Sequence, residues 1–213
     1  MMHRSILALI LVVVASGAVA QYENAMGIFF EEDDLSFWWE YHNLDTEPGV
    51  PFEIYVAILG PSVNFIGGYE CSLEFLGAPV FMLGWGGPDA YWQDGSYHYP
   101  DGFSYGGFNF GDEYNHLVGY SYPVPTGGED TVLAKMRLFQ PEAERVDIYM
   151  GPSEPSSVGG DGPAIANGLD PDEIILCTYT SGPYFDGWVG TLNAPPPVTT
   201  EAHSWSGVKA LFE

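Results

Sequence analysis

Basic side chains are nearly missing from this chain: five Lys and Arg stand against 29 Asp and Glu in 213 residues. A surface of that sign repels a phosphate backbone, so nucleic acid is excluded as a partner, and an anionic membrane surface is disfavoured for the same reason. Cysteine is almost as scarce. Cys71 and Cys177 provide neither the ligand spacing of a zinc site nor a Cys-x-x-Cys redox motif. The helix formers Lys, Arg and Gln are few, whereas 27 Gly, 17 Pro and 15% aromatic residues make an all-β composition. No Gly-x-Ser-x-Gly elbow, His-Glu-x-x-His helix or phosphate loop occurs, and among so many acids a pair at glycosidase spacing is uninformative. His42, His98, His116 and His203 are scattered, which assigns them to the surface or to loops rather than to a metal site. The chain therefore reads as non-catalytic, with no cofactor other than calcium to consider.

What is present begins with an export signal. His3 and Arg4 precede an apolar run from Ile6 to Val14, and Ala18-Val19-Ala20 supplies the small residues of a cleavage site, so residues 1–20 are expected to be removed before Gln21. The run is short for a membrane span, and no later stretch is long enough, so no transmembrane segment is expected after signal removal. The product is expected to be secreted or held at the cell surface or in the periplasm. Four cations, Lys135, Arg137, Arg145 and Lys209, then face all 29 carboxylates.

Residues 48–75 are the stretch around which the rest is organised. Phe52, Ile54, Val56 and Ile58 alternate with Glu53, Tyr55 and Ala57, and after a Gly-Pro loop Tyr69, Cys71, Leu73 and Phe75 alternate with Glu70, Ser72 and Glu74. Two half-apolar strands need a second layer to cover them, which predicts an antiparallel two-sheet sandwich of the jelly-roll or immunoglobulin-like kind over residues 21–193. Further strands are expected at residues 24–30, 80–85, 116–122, 131–139, 145–150, 173–180 and 188–192. In the strand at 131–139, Val132, Ala134, Met136 and Leu138 are expected to share a face. Residues 151–168, rich in Gly, Pro and Ser, read as loop. Residues 84–114 are a long aromatic, Gly-rich excursion, folded on the domain as loops and short ribbons. A stiff proline spacer follows at 194–200. In the tail at 201–213, Ser204 can cap a short helix that places Trp205, Val208, Leu211 and Phe212 on one side, either as a latch on the sandwich or as a C-terminal handle.

Three candidate sites follow. Cys71 and Cys177 lie on the apolar sides of their segments, so an exported chain is expected to join them in a disulfide, the alternative being two buried thiols. The run Glu31-Glu32-Asp33-Asp34 is either splayed into solvent or drawn around a calcium ion. Trp85, Tyr91, Trp92 and Tyr97, with Asp89, Gln93 and Asp94, supply rings and acceptors of the kind that hold a sugar, the alternative being rings packed over glycines as a second small core.

The pattern Pro48-Gly49-x-x-Phe52, the strand to Ile58, the run from Gly68 to Phe75 and the segment Thr131 to Leu138 together resemble the cohesin-like sandwiches. These are extracellular bacterial jelly rolls that include the dockerin-binding cohesins and stand close to several carbohydrate-binding modules. The resemblance implies an interaction protein that binds a protein partner or forms part of a cell-surface assembly, the other reading being a carbohydrate-binding module that takes a polysaccharide on its aromatic loops. The excursion at 84–114 departs from that pattern. The tail from Thr200 to Phe212 looks like short Trp-x-x-hydrophobic-Lys-Ala-Leu-aromatic endings of other exported β-domain proteins, and the proline spacer before it makes a sorting or attachment signal one expectation for it.

Overall fold

The computed structural model describes residues 23–32, 35, 42–100, 104–111, 114–160, 162–180 and 187–195. The expected signal segment, Asp33 and Asp34, the expected spacer beyond Pro195 and the expected tail helix, with Trp205, Val208, Leu211 and Phe212, lie outside the described residues.

Along the chain the strands are β1 (Ala25–Phe29), β2 (Asn43–Leu44), β3 (Phe52–Leu59), β4 (Phe65–Gly77), β5 (Phe81–Gly86), β6 (Tyr91–Gln93), β7 (Ser96–His98), β8 (Gly107–Asn109), β9 (Asn115–Pro125), β10 (Thr131–Phe139), β11 (Val146–Gly151), β12 (Ala164–Asn167), β13 (Ile174–Leu176), β14 (Thr178–Tyr179) and β15 (Trp188–Leu192). One sheet, A, runs β14-β1-β3-β10-β5. The other, B, is centred on β4, the longest strand, and runs β13-β12-β4-β11-β15-β2, with β9 and then β8 on the opposite side of β4. A separate hairpin joins β6 to β7.

The period of two decides what lies between the layers. Met26, Ile28, Ile54, Val56, Ile58, Met136 and Leu138 from sheet A meet Ile66, Tyr69, Cys71, Leu73, Val118, Ile148 and Ile165 from sheet B in one buried core. Each such aliphatic side chain contributes on the order of 1.5–3 kcal/mol on leaving water. The alternation expected for residues 52–58 and 69–75 is thus the alternation observed.

Four features depart from the expectation. The sandwich is not wholly antiparallel, because β14 pairs parallel with β1 and β2 parallel with β15. The segment at 173–180 is two strands rather than one: the chain leaves sheet B after β13, passes Cys177 and joins sheet A as β14. A bulge in β10 turns Val132 away from Ala134, so that Val132 packs outside sheet A with Ala57, Ala25 and Phe29. The expected loop at 151–168 contains β12. Ser72 pairs with Gly151 of β11 and Glu70 with Ala164 of β12, so these two strands lie end to end along one side of β4. Residues 152–160, with 162 and 163, form a strap that leaves that line and returns to it.

The first half of the excursion lies on the outer face of sheet A. Trp92 and Tyr97 of the hairpin meet edge to face at 5.0 Å and cover Gly84 and Gly86 of β5, where a Cβ would come within 3.0 Å of Trp92 or Tyr97. The second half returns as β8 at the edge of sheet B. Tyr114 covers part of the free edge of β5: its hydroxyl accepts from the amide of Met82 and donates to the carbonyl of Val80.

Candidate functional site

The outer face of sheet B carries a group of large exposed apolar side chains, Phe108, Phe110, Ile174 and Leu176. At the level of Gly68 five strands stand side by side in the order β8-β9-β4-β12-β13. Because inward residues are fixed by the core, the alternate residues face out. Phe108 sits opposite Gly119, Ala166 is opposite both Gly68 and Ile174, and Ala164 is opposite both Glu70 and Leu176. The middle of this face is therefore built from small residues, while its two margins are large and apolar. On one margin Phe108 is 69% exposed and Phe110 is 75% exposed, and on the other Leu176 is 52% exposed beside Ile174.

Between the margins runs an open trough of about 140 Å³, floored by Gly68, Gly119, Ala164 and Ala166 and bordered by Leu117 and Ile174. Two strand spacings separate β9 from β12, so the floor is about 10 Å wide. Phe110 lies 3.7 Å from the place a Cβ on Gly119 would take, and nothing else approaches that point, so the floor is free to receive a side chain from outside.

One end of the trough is closed by the strap. Glu70, on the outward side of β4, is buried at 2% exposure and ionic in type, a costly position unless its oxygens are satisfied. Ser156 Oγ donates to it at 2.9 Å, and the amide and hydroxyl of Ser157 also donate to it. The strap is tied again where Asn115 Nδ2 donates to the Glu154 carbonyl at 2.6 Å and Asn115 Oδ1 accepts from the Glu154 amide at 2.8 Å. Beyond both ends the surface is acidic: Glu74 and Glu154 are exposed at the strap end, and Asp170, Asp172 and Glu173 at the turn between β12 and β13.

The residues singled out as a sugar platform are not brought onto one surface. Trp85 points into the core, 5.7 Å from the His116 ring, while Trp92 and Tyr97 lie on the opposite face of the same sheet. Trp92 carries the Arg137 guanidinium at 5.4 Å, and the Tyr97 hydroxyl donates to Glu53 Oε1 at 3.0 Å. Burial and the Glu53 charge push the Tyr97 phenol well above its ordinary range, and burial first, then Glu53, pushes Tyr55 up to about 12. Asp89 accepts from the Tyr105 amide, and Gln93 and Asp94 sit exposed at the hairpin tip with Tyr91 stacked on His98. The glycine-packed arrangement weighed for these rings is the one observed for Trp92 and Tyr97.

The cysteines are unbonded thiols in one core rather than the expected bridge. Leu176, Ala164 and Glu70 are aligned across three strands, so Cys71 and Cys177 are offset by two spacings, about 9.6 Å. A disulfide needs Cα atoms roughly 4.4–6.8 Å apart. Burial, reinforced by the neighbouring Cys177, pushes the Cys71 thiol upward, and burial pushes Cys177 up to about 12. Of the acidic run proposed for calcium, Glu32 is paired with Lys135 at 2.6 Å and Glu31 is exposed. Among the described residues no group of three or more His, Cys, Asp or Glu is placed to hold a metal ion.

Two histidines assigned to the surface are buried. His116 is enclosed by Tyr69 and Trp85, with the Tyr69 hydroxyl 2.6 Å from its Nδ1. His42 lies against Phe29 and Trp188, Nδ1 donating to the Val189 carbonyl at 3.2 Å, and burial lowers its pKa.

No protein-family model matches the chain, and no curated protein does. Among solved structures it is similar to the second type II cohesin module of the adaptor scaffoldin ScaA of Acetivibrio cellulolyticus, with a TM-score of 0.41 and 16% identity, over 76% of this chain and 91% of that one. None of the trough residues on β8, β12 and β13 was singled out from the sequence as a site. The signal was there in the two-residue spacing of Phe108 with Phe110 and of Ile174 with Leu176, each pair interrupted by a residue that faces the core or the edge.

Proposed function

We propose that this chain is a non-catalytic, exported interaction module of the cohesin-like type, holding a protein partner in the trough of sheet B. The observation that carries the reading is the trough itself: large exposed apolar margins on β8 and β13 with a floor of glycine and alanine between them. Apolar patches of this kind on a folded domain mark contact surfaces, because leaving them in water costs free energy that burial recovers. A protein backbone can approach a Gly and Ala floor closely, whereas a sugar needs a ring platform beside hydrogen-bonding groups. The sugar reading is weaker because the rings that would form its platform are held by Gly84, Arg137 and Glu53. Export by residues 1–20 and attachment through the tail at 201–213 belong to the same proposal, motivated by the charge and apolar pattern of those segments.

A photo-crosslinking residue placed at Phe110 or Leu176 tests the reading in the extracellular fraction of the source cells. A discrete protein adduct is expected from both positions and none from Glu129, in an exposed turn away from the trough. Equal labelling from all three positions, or adducts from Glu129 alone, would overturn it.

A further inference from the structure

Resting on that reading, we infer that the segment bound in the trough is cationic at both ends and apolar between them. Charge is distributed unevenly over the two sheets. Each described cation is already paired and stands away from the trough: Lys135 with Glu32, Arg137 with Glu53 and Arg145 with Asp147. Lys135 and Arg137 belong to β10 in sheet A, and Arg145 precedes β11 at the far end of β4 from Gly68. Among the described residues the charged groups beyond the trough are therefore all acids, with Asp170, Asp172 and Glu173 past its open end and Glu74 and Glu154 past the strap at the other.

Spacing turns that asymmetry into a recognition rule. From Ile66, opposite Asn167 where the β12–β13 turn begins, to Ser72, opposite the Asn115 that holds Glu154, the chain advances six residues along β4, about 20 Å at the rise of a strand. A partner that lays apolar side chains against Phe108, Phe110, Ile174 and Leu176 thus meets carboxylates about 20 Å apart at its two ends. Lys or Arg at those places is attracted, and Asp or Glu is repelled at the same cost, so the acids exclude wrong partners as well as drawing in right ones. The surplus of carboxylates over the whole chain adds long-range attraction for a cationic segment, and salt weakens it.

Selection from a displayed library of random peptides of about 20 residues, long enough to span the trough whether helical or extended, reads the rule directly. The bait is the secreted full chain, and Gly119→Leu, which fills the floor where only Phe110 stands near, is the counter-selection bait. The expected winners carry Lys or Arg near both ends and apolar residues between. Their binding should fall at least tenfold with Gly119→Leu, at least tenfold in 0.5 M salt against low salt, and severalfold with the combined Asp170→Asn and Asp172→Asn variant, whose two sites are exposed turn residues. Winners that depend on Gly119 but are acidic or uncharged would overturn the charge rule and leave the trough as the contact surface. Cationic winners indifferent to Gly119→Leu, or no Gly119-dependent winners at all, would overturn both.

Discussion

His42 is a neutral ring in a dry place. It packs between Phe29 and Trp188, with one nitrogen donating to the Val189 carbonyl, and burial holds its pKa below the ordinary 6.5. The sign of its effect on stability follows. Below pH 6.5 the unfolded chain takes up a proton that the folded ring resists, so the contribution is complete above pH 6.5 and is lost as pH falls through the lowered folded value. His42→Gln removes this titration. Urea midpoints measured at pH 7.5 and pH 5.5 should therefore fall further for the natural protein than for the variant, and equal falls would show that His42 is not the group responsible. Glu70 illustrates the other way of tolerating a buried ionisable residue: its two oxygens collect donors from Ser156 and Ser157, which hold the strap here as Asn115 holds it at Glu154.

At the scale of elements, the hairpin of β6 and β7 stays on sheet A because β5 offers it glycines. A methyl group on Gly86 would lie 2.6 Å from the Ala90 Cβ and 3.0 Å from Tyr97 Cγ, both too close for contact. Gly86→Ala should lift the hairpin and cost about 1–3 kcal/mol in denaturant unfolding, with faster amide exchange at Trp92 and Tyr97. An unchanged midpoint would mean that the hairpin rests on the sheet by other contacts. Much of the layer architecture was legible in the sequence, since Phe52 to Ile58 and Tyr69 to Phe75 alternate cleanly and their partners do too. What escaped was set by neighbours rather than by local pattern. The bulge at Leu133 shifts the phase of β10 by one residue, so a count by twos misplaces Val132. Short β12, Ala164–Asn167, sits among Gly, Pro and Ser and becomes a strand because β4 and β13 flank it. The candidate trough was harder still. Its floor is defined by side chains that are small, and its margins come from strands nearly 70 residues apart in sequence, so only the register across β8, β9, β4, β12 and β13 assembles it.

Across the whole molecule the two thiols report on the integrity of the sandwich. Cys71 and Cys177 are buried between the sheets, and burial pushes both pKa values up, Cys177 to about 12. A thiol-specific chromogenic disulfide reagent at pH 8 should label neither in the folded protein and two per chain after denaturation. No labelling after denaturation would show that the pair is bridged after all. Raising the pH from 9 towards 12 should progressively destabilise the fold, because the unfolded chain releases thiol protons that the folded chain retains. Lastly, β11 and β12 are each registered on β4 independently, Gly151 against Ser72 and Ala164 against Glu70, with the strap looping out between them. An insertion or deletion in residues 152–163 would leave both ladders in phase while reshaping one lip of the trough. As long as Ser156 and Ser157 stay over Glu70, the scaffold thus contains a splice point at which chain length can change without refolding the ladders beneath it.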